Sequence, residues 1–233
     1  MERKREKFFV PTRGTEDWKK LLADPCKQWR SGYSAKTLAE CWQNCGDFPP
    51  SVLQALAKAD SSAFEGVELL AAFPEWQVPL PPKSGHPSQN DIFALARSKR
   101  GPITICVEGK IKEPFGELVK DWFEPAAGGI PSDGKKERLT FLLEKLGLTR
   151  NQVDNIRYQL LHRTASALTE AERFGAKIAL MLVHSFSPTH EWFKDFSDFA
   201  ALYGITPEVG QVKKAARHKE IDLHLGWVSD PLK

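Results

Sequence analysis

The stretch Asp91-Ile92-Phe93-Ala94-Leu95-Ala96-Arg97-Ser98-Lys99-Arg100-Gly101-Pro102-Ile103-Thr104-Ile105-Cys106-Val107-Glu108-Gly109-Lys110 decides the fold. Its second apolar run, 103–107, is rich in β-branched residues and reads as a strand. The run from Asp91 to Ala96 reads as a second strand. The polar link between them, 97–102, is short enough to join antiparallel neighbours. With the tip between Lys99 and Arg100, counting outward equally on both arms sets Asp91 opposite Glu108. Directly opposed β-carbons lie roughly 5 Å apart, and like charges there destabilise a sheet. A divalent cation between the two carboxylates would turn that repulsion into binding energy, and hard oxygen donors suit Mg2+ or Mn2+. Side chains alternate along a strand, so Glu108 and Lys110 share a face and Gly109 takes the other. The plainer alternative is an exposed Glu108–Lys110 ion pair, worth about 0–1 kcal/mol.

Working outward, residues 50–59 read as a helix with Ser51 or Asp47 as cap, and 64–73 as a second helix. Residues 75–80 read as a first strand, with Pro79 favouring an edge or strand end. A Pro-rich loop, 81–87, leads into the Asp91 strand. Beyond the hairpin, 135–146 reads as a helix and 150–174 as one long helix with Val153, Ile156, Leu160, Ala167 and Leu168 on its apolar side. The continuous apolar run 176–183 reads as a buried central strand. The alternating segment 220–228 reads as a last strand on the sheet edge. These elements make an α/β fold, a mixed central sheet flanked by helices. Residues 1–49, with Trp18, Leu21, Leu22, Trp29, Leu38, Ala39 and Trp42, form an N-terminal helical extension packed on a domain spanning 50–233.

Asp91 followed by Glu108-Gly109-Lys110 at the end of an apolar strand resembles the PD-(D/E)XK nuclease superfamily, the restriction-endonuclease-like fold. The resemblance covers about residues 50–186, and its motif is a few residues. It implies a core of helix, three antiparallel strands, helix and strand. It implies Asp91 and Glu108 as ligands of Mg2+ (or Mn2+) and Lys110 as the lysine that orients or activates water. An acid on the helix before the first strand is also implied. Glu65 and Glu68 are the candidates, and Glu68, beside Val67, Leu69 and Leu70, is preferred. Gln159 matches a glutamine on the helix facing the catalytic strand. Two positions depart from the pattern: Asn90, not Pro, precedes Asp91, and Arg163, not Tyr, follows Gln159 by four. Gln159 and Arg163 are i,i+4 neighbours on one stripe. Arg163 could contact a phosphate as a fork, with Lys83 and His86 of the Pro-rich loop as further nucleic-acid contacts. For Gln159, His162 and Arg163, a surface helix face whose long side chains cover apolar neighbours stands as the alternative.

A net charge of +3 and a pI of about 8.6 permit nucleic-acid contact without demanding it. The basic residues form local groups: Arg3-Lys4-Arg5 with Lys7, Lys99-Arg100, Lys135-Lys136 with Arg138, and Lys213-Lys214 with Arg217-His218-Lys219. Together they could line a phosphate track. No segment is apolar enough for a membrane helix, and the charged N-terminus lacks a signal-peptide core, so a cytoplasmic location is expected. Four cysteines fall short of a disulfide scaffold. Cys26, Cys41 and Cys45 lack a nearby fourth zinc ligand, and Cys106 reads as a small buried hydrophobe. Gly128-Gly129 opens no phosphate loop, because no Gly-Lys-Ser/Thr follows. G-x-S-x-G is absent, which disfavours a serine hydrolase. The expected function is therefore a metal-dependent nuclease hydrolysing DNA phosphodiester bonds, with a homodimer as a compatible arrangement. The alternatives are a catalytically inactive binding module on the same fold and a protein in which Glu108-Gly109-Lys110 is incidental.

Overall fold

The hairpin forms as its apolar arms require. In the computed structural model, which describes residues 14–22, 24–30, 32–59, 62–124 and 129–232, strand β2 (Ser88–Ser98) and strand β3 (Gly101–Lys110) pair antiparallel through a two-residue turn. Ser98 faces Gly101 and Ile92 faces Val107, the register counted from the Lys99–Arg100 tip. Gly101 sits at φ 107°, a left-handed conformation glycine adopts without strain.

Upstream, the expected helix over 64–73 does not form. Residues 62–64 make one 3-10 turn, and the chain then enters strand β1 (Glu68–Val78), antiparallel to β2. The apolar residues of 67–73 fit either period over so short a window. Pairing with β2 on one side and burial of Leu69 and Ala72 decide for a strand.

After the hairpin come α4 (Val119–Phe123), α5 (Asp133–Leu146), α6 (Arg150–Val153) and α7 (Tyr158–Phe174). The single long helix expected over 150–174 is thus broken at 154–157. The cause is a competing partner. Lys120 and Val119 donate backbone N–H bonds to the carbonyls of Asp154 and Ile156, and Tyr158 N–H donates to Glu117 O. Those carbonyls are lost to helix propagation, and α7 restarts at Tyr158.

Strand β4 (Ile178–Ser185) is buried throughout and runs parallel to β3. Helix α8 (Phe193–Ala201) follows, then β5 (Gln211–His218) and β6 (Ile221–Ser229). The strand order is β1-β2-β3-β4-β6-β5. The last strand is therefore central, parallel to β4, and not on the edge as expected. The edge is β5, whose basic residues hid its strand character. Lys213, Lys214 and Arg217 suit an edge, where charge discourages further pairing.

The sheet is sandwiched. Phe93, Cys106, Met181 and Trp227 face α5, α7 and α8 in one apolar cluster. Ile92, Ile105, Val107 and Leu180 face the other, with Trp18, Leu38, Trp42 and Val52 from the N-terminal segment. That segment comprises a 3-10 helix Thr15–Leu21, α1 (Pro25–Gln28), α2 (Ser34–Cys45) and α3 (Pro50–Ala57). Its buried side chains pack on one face of the sheet. No helix among the described residues is long and apolar enough to cross a membrane.

The basic groups do not make one track. Lys99 pairs with Glu65, Arg100 and Lys214 with Asp222, and Lys219 with Glu172, all toward the hairpin-tip end of the sheet. The group Arg3-Lys4-Arg5 with Lys7 lies outside the described residues.

Candidate active site

The opposite end of the sheet gathers the carboxylates. Asp91 precedes Phe93 by two and Glu108 follows Cys106 by two, and Phe93 pairs with Cys106. By strand alternation Glu108 projects to the α7 side, while Asp91 lies just beyond the paired register, its Oδ2 3.3 Å from where a Cβ on Gly109 would stand beside Leu38 and Ser34. A third acid joins them. Pro74 pairs with Ile92 and Trp76 with Asn90, so Glu75 stands level with Asp91 on the neighbouring strand. Glu75 takes φ 51°, an uncommon conformation for a non-glycine residue. Glu75, Asp91 and Glu108 line one cleft with Lys110, Glu113, Gln159 and Arg163, and residues of the N-terminal segment, among them Tyr33 and Ser34, form the far wall.

Glu108 is the most tightly held. Its side chain is 3% exposed. Oε1 accepts from Lys110 Nζ at 2.6 Å and from Gln159 Nε2 at 2.7 Å, and Oε2 accepts from Arg163 Nε at 2.6 Å. Burial favours the neutral acid, but the Arg163 and Lys110 charges outweigh it and hold the carboxyl below its usual range. Lys110, also 3% exposed, donates to Gln159 Oε1 at 3.1 Å and sits 4.8 Å over the Phe115 ring. Gln159 thus accepts from the lysine while donating to the glutamate, which fixes both heads. The break before α7 places Gln159 and Arg163 in its first two turns, where they reach β3.

Asp91 and Glu75 are perturbed the other way. Asp91 Oδ2 accepts the Gly109 backbone N–H at 2.7 Å, and Glu75 Oε2 accepts from Gln89 Nε2 at 2.7 Å. Burial, then Glu108, raises the Asp91 pKa to about 7. Burial, then Asp91, raises that of Glu75 to about 8. Three carboxylates face two cations, Lys110 and Arg163, so one negative charge is in excess. Glu113 is satisfied separately, accepting the backbone N–H groups of Ser34, Ile111 and Lys112.

Carboxylate oxygens are the donor type that hard divalent cations take. Asp91 and Glu75 offer oxygens that no N–H among the described residues occupies, and their excess charge disfavours full ionisation without a cation. The three carboxylates do not form a closed cage. Among the described residues, the tight trio of donor atoms is Cys41, His184 and Asp230, within 4.8 Å of one another. Hydrogen bonds already account for that trio. Trp42 Nε1 donates to His184 Nδ1 at 3.0 Å, which leaves the proton on Nε2 to bridge to Asp230 Oδ2 at 3.0 Å. Ser51 donates to the same oxygen at 2.8 Å. Burial keeps His184 neutral by lowering its pKa. The group ties α2, α3, β4 and the end of β6 together, and Nε2 has no lone pair for a metal.

The other expected residues divide. Gln159 is in the site. Arg163 is there too, as the partner of Glu108 and of Ser88 Oγ at 3.1 Å, with its guanidinium turned inward. Glu68 is not: it heads β1 near the hairpin tip and accepts from the exposed Arg97 at 2.9 Å. No acid of residues 62–68 reaches the cleft, and the further acid in it, Glu75, belongs to β1. The first strand was expected from residue 75, but without the register of β1 against β2 nothing aligned Glu75 with Asp91. His86 borders a separate pocket with Trp122 and Tyr158, and Lys83 lines a neighbouring groove with Glu137. Cys106 is buried and its thiol pKa is raised by burial, so it is no nucleophile.

A family model described as a domain of unknown function, DUF6946, matches residues 11–232, and the chain belongs to that family. No curated protein and no solved structure matches it.

Proposed function

We propose that this family member is a divalent-metal-dependent hydrolase of DNA phosphodiester bonds. The observation that carries the reading is the row Glu75, Asp91 and Glu108 across three adjacent strands, with Lys110 and Gln159 locked to its end. Asp91 and Glu108 would hold Mg2+ or Mn2+, with Glu75 as a third carboxylate. A bound cation supplies polarisation of a phosphate oxygen and a lowered pKa for water. Lys110 presents an ammonium at the rim of the acids, where it orients a water or meets charge developing on the phosphate. Gln159 keeps that ammonium from collapsing wholly onto Glu108. Arg163 keeps Glu108 ionised over the working pH range. Phe115 and the α7 side chains exclude bulk water, which strengthens each of these interactions.

The test is nicking of supercoiled plasmid with Mn2+ or Mg2+ by pure protein. The parent should nick, and Asp91→Ala and Lys110→Met should not. Equal nicking by folded variants would reject the assignment. One observation favours a second reading, an inactive binding module: protein donors already engage both oxygens of Glu108. Calorimetric titration with Mn2+ separates the two. Folded parent that takes up no Mn2+ supports the module.

A further inference from the structure

A second cavity opens beside the acids, of about 430 Å3, within the usual range for a small-molecule or nucleotide site. Its walls are Trp122, Tyr158, His162, Lys135, Arg138 and His86, and no Asp or Glu among the described residues lines it. Trp122 and Tyr158 stack face to face, with centroids 3.8 Å apart and planes 9° from parallel. They form one thick aromatic slab.

Arg138 is the unusual member. It is 7% exposed, yet its guanidinium has no carboxylate partner among the described residues. It donates instead to three loop carbonyls, those of Pro81, Leu80 and His86. The loop closes around it: a Cβ on Gly85 would lie 3.1 Å from Arg138 Nη2. A buried charge balanced only by dipoles attracts an anion. Lys135, one turn earlier on α5, donates to Trp122 O at 2.5 Å and lies over the Trp122 ring. The N-terminus of α5, capped by Ser132, also opens into the cavity, adding the positive end of a helix dipole. His162 is held neutral by burial and by Arg163 and Arg138, and it adds a polar ring without charge.

The cavity adjoins the acids through one helix. Tyr158 and His162 face it, while Gln159 and Arg163, one position further along α7, face Glu108. An intermediate cleft is lined by all four. A ligand here would be joined to the strand being cut.

We propose that this cavity is a nucleotide subsite that seats one nucleotide of a single-stranded segment next to the scissile bond. Its base stacks on the Trp122–Tyr158 slab, and its phosphate meets Lys135, Arg138 and the α5 N-terminus. The choice of a nucleic-acid strand as ligand rests on the hydrolase reading. The pocket chemistry itself is shared with a free nucleotide.

The test is anisotropy of a labelled single-stranded 12-mer in EDTA, where no cleavage occurs, against the same strand with abasic sites. Full-length parent, Tyr158→Leu and Lys135→Met are compared, each first shown to be folded by its urea transition. The parent should prefer the base-bearing strand by about 5- to 100-fold, the range of a stacked base, and Tyr158→Leu should remove the preference. Lys135→Met should weaken both strands and lower the log–log salt slope by about 0.7. Equal affinity of the parent for both strands, or variants that match the parent, overturns the subsite. Competition by a nucleoside monophosphate at the concentrations at which the strand competes overturns the commitment to a strand and assigns the pocket to free nucleotide. Binding is read without metal, so failure of the parent to nick in Mn2+ counts against hydrolysis alone.

Discussion

Glu75→Gln isolates the excess negative charge in the row of acids. In the parent, burial and Asp91 raise the Glu75 pKa to about 8 from an ordinary value of 4.5. The folded protein therefore binds a proton that the unfolded chain has released between those pH values, and stability falls as pH rises through that window. A tenfold change in proton affinity is about 1.4 kcal/mol, which sets a ceiling on the order of 4–5 kcal/mol. Water reaches this half-buried carboxylate, so the measurable part is about 1–3 kcal/mol. Glutamine mimics the protonated acid, keeps the contact with Gln89 and carries no charge. Urea unfolding in EDTA at pH 5 and pH 8 gives the parent and variant curves. The variant should match the parent within about 0.5 kcal/mol at pH 5 and exceed it by about 1–3 kcal/mol at pH 8. Taking the difference between proteins cancels the titrating groups that do not interact with Glu75. A variant that gains nothing between pH 5 and pH 8 would refute the charge argument.

Three further outcomes follow from the same geometry. Glu108→Ala strands Lys110 and Arg163 in the interior and should destabilise by about 3–5 kcal/mol, read as a drop in urea midpoint, so its loss of nicking must be measured at temperatures where it stays folded. Gly109→Ala sets a Cβ 3.3 Å from Asp91 Oδ2, Leu38 Cδ2 and Ser34 Cβ, and should cost about 1–3 kcal/mol with weaker Mn2+ uptake by calorimetry. Glu68→Ala breaks only an exposed pair with Arg97, so its stability should shift by less than about 1 kcal/mol with nicking unchanged; a loss of nicking would return Glu68 to the site.

The hairpin was legible because a two-residue turn and period-two alternation fix register with little help from the rest of the chain. That is why Asp91, Glu108 and Lys110 could be aligned from the sequence. Glu75 was not legible. Its alignment depends on β1, and residues 67–73 carry apolar side chains at spacings that suit a helix as well as a strand. Only the unpaired edge of β2 decides between them, and that edge is a tertiary fact. The break at 154–157 was hidden for a similar reason: it comes from residues 117–120 taking the carbonyls of a segment whose own propensity is helical. Strand β5 was hidden by its lysines, which suit an edge strand and a solvated loop equally. Gln159 was singled out by the resemblance to a nuclease pattern, since no local pattern distinguishes a glutamine that reaches across to a strand from one in solvent.

The charge count across the three strands links stability to metal binding. With Glu108 held ionised by Arg163 and Lys110, the remaining excess falls on Asp91 and Glu75, and near neutral pH a shared proton offsets it. A divalent cation on those oxygens would take over that role and expel the proton, because carboxylate ligands bind metal deprotonated. Mn2+ titrations near pH 6.5 in buffers of different ionisation enthalpy should therefore report release of about one to two protons per metal. The number should fall toward zero above pH 9, where Glu75 and Asp91 are already ionised. Affinity should rise with pH over the same interval. Metal uptake with no proton release at pH 6.5 would mean that the ion sits elsewhere, and the excess charge of the acid row would need another explanation.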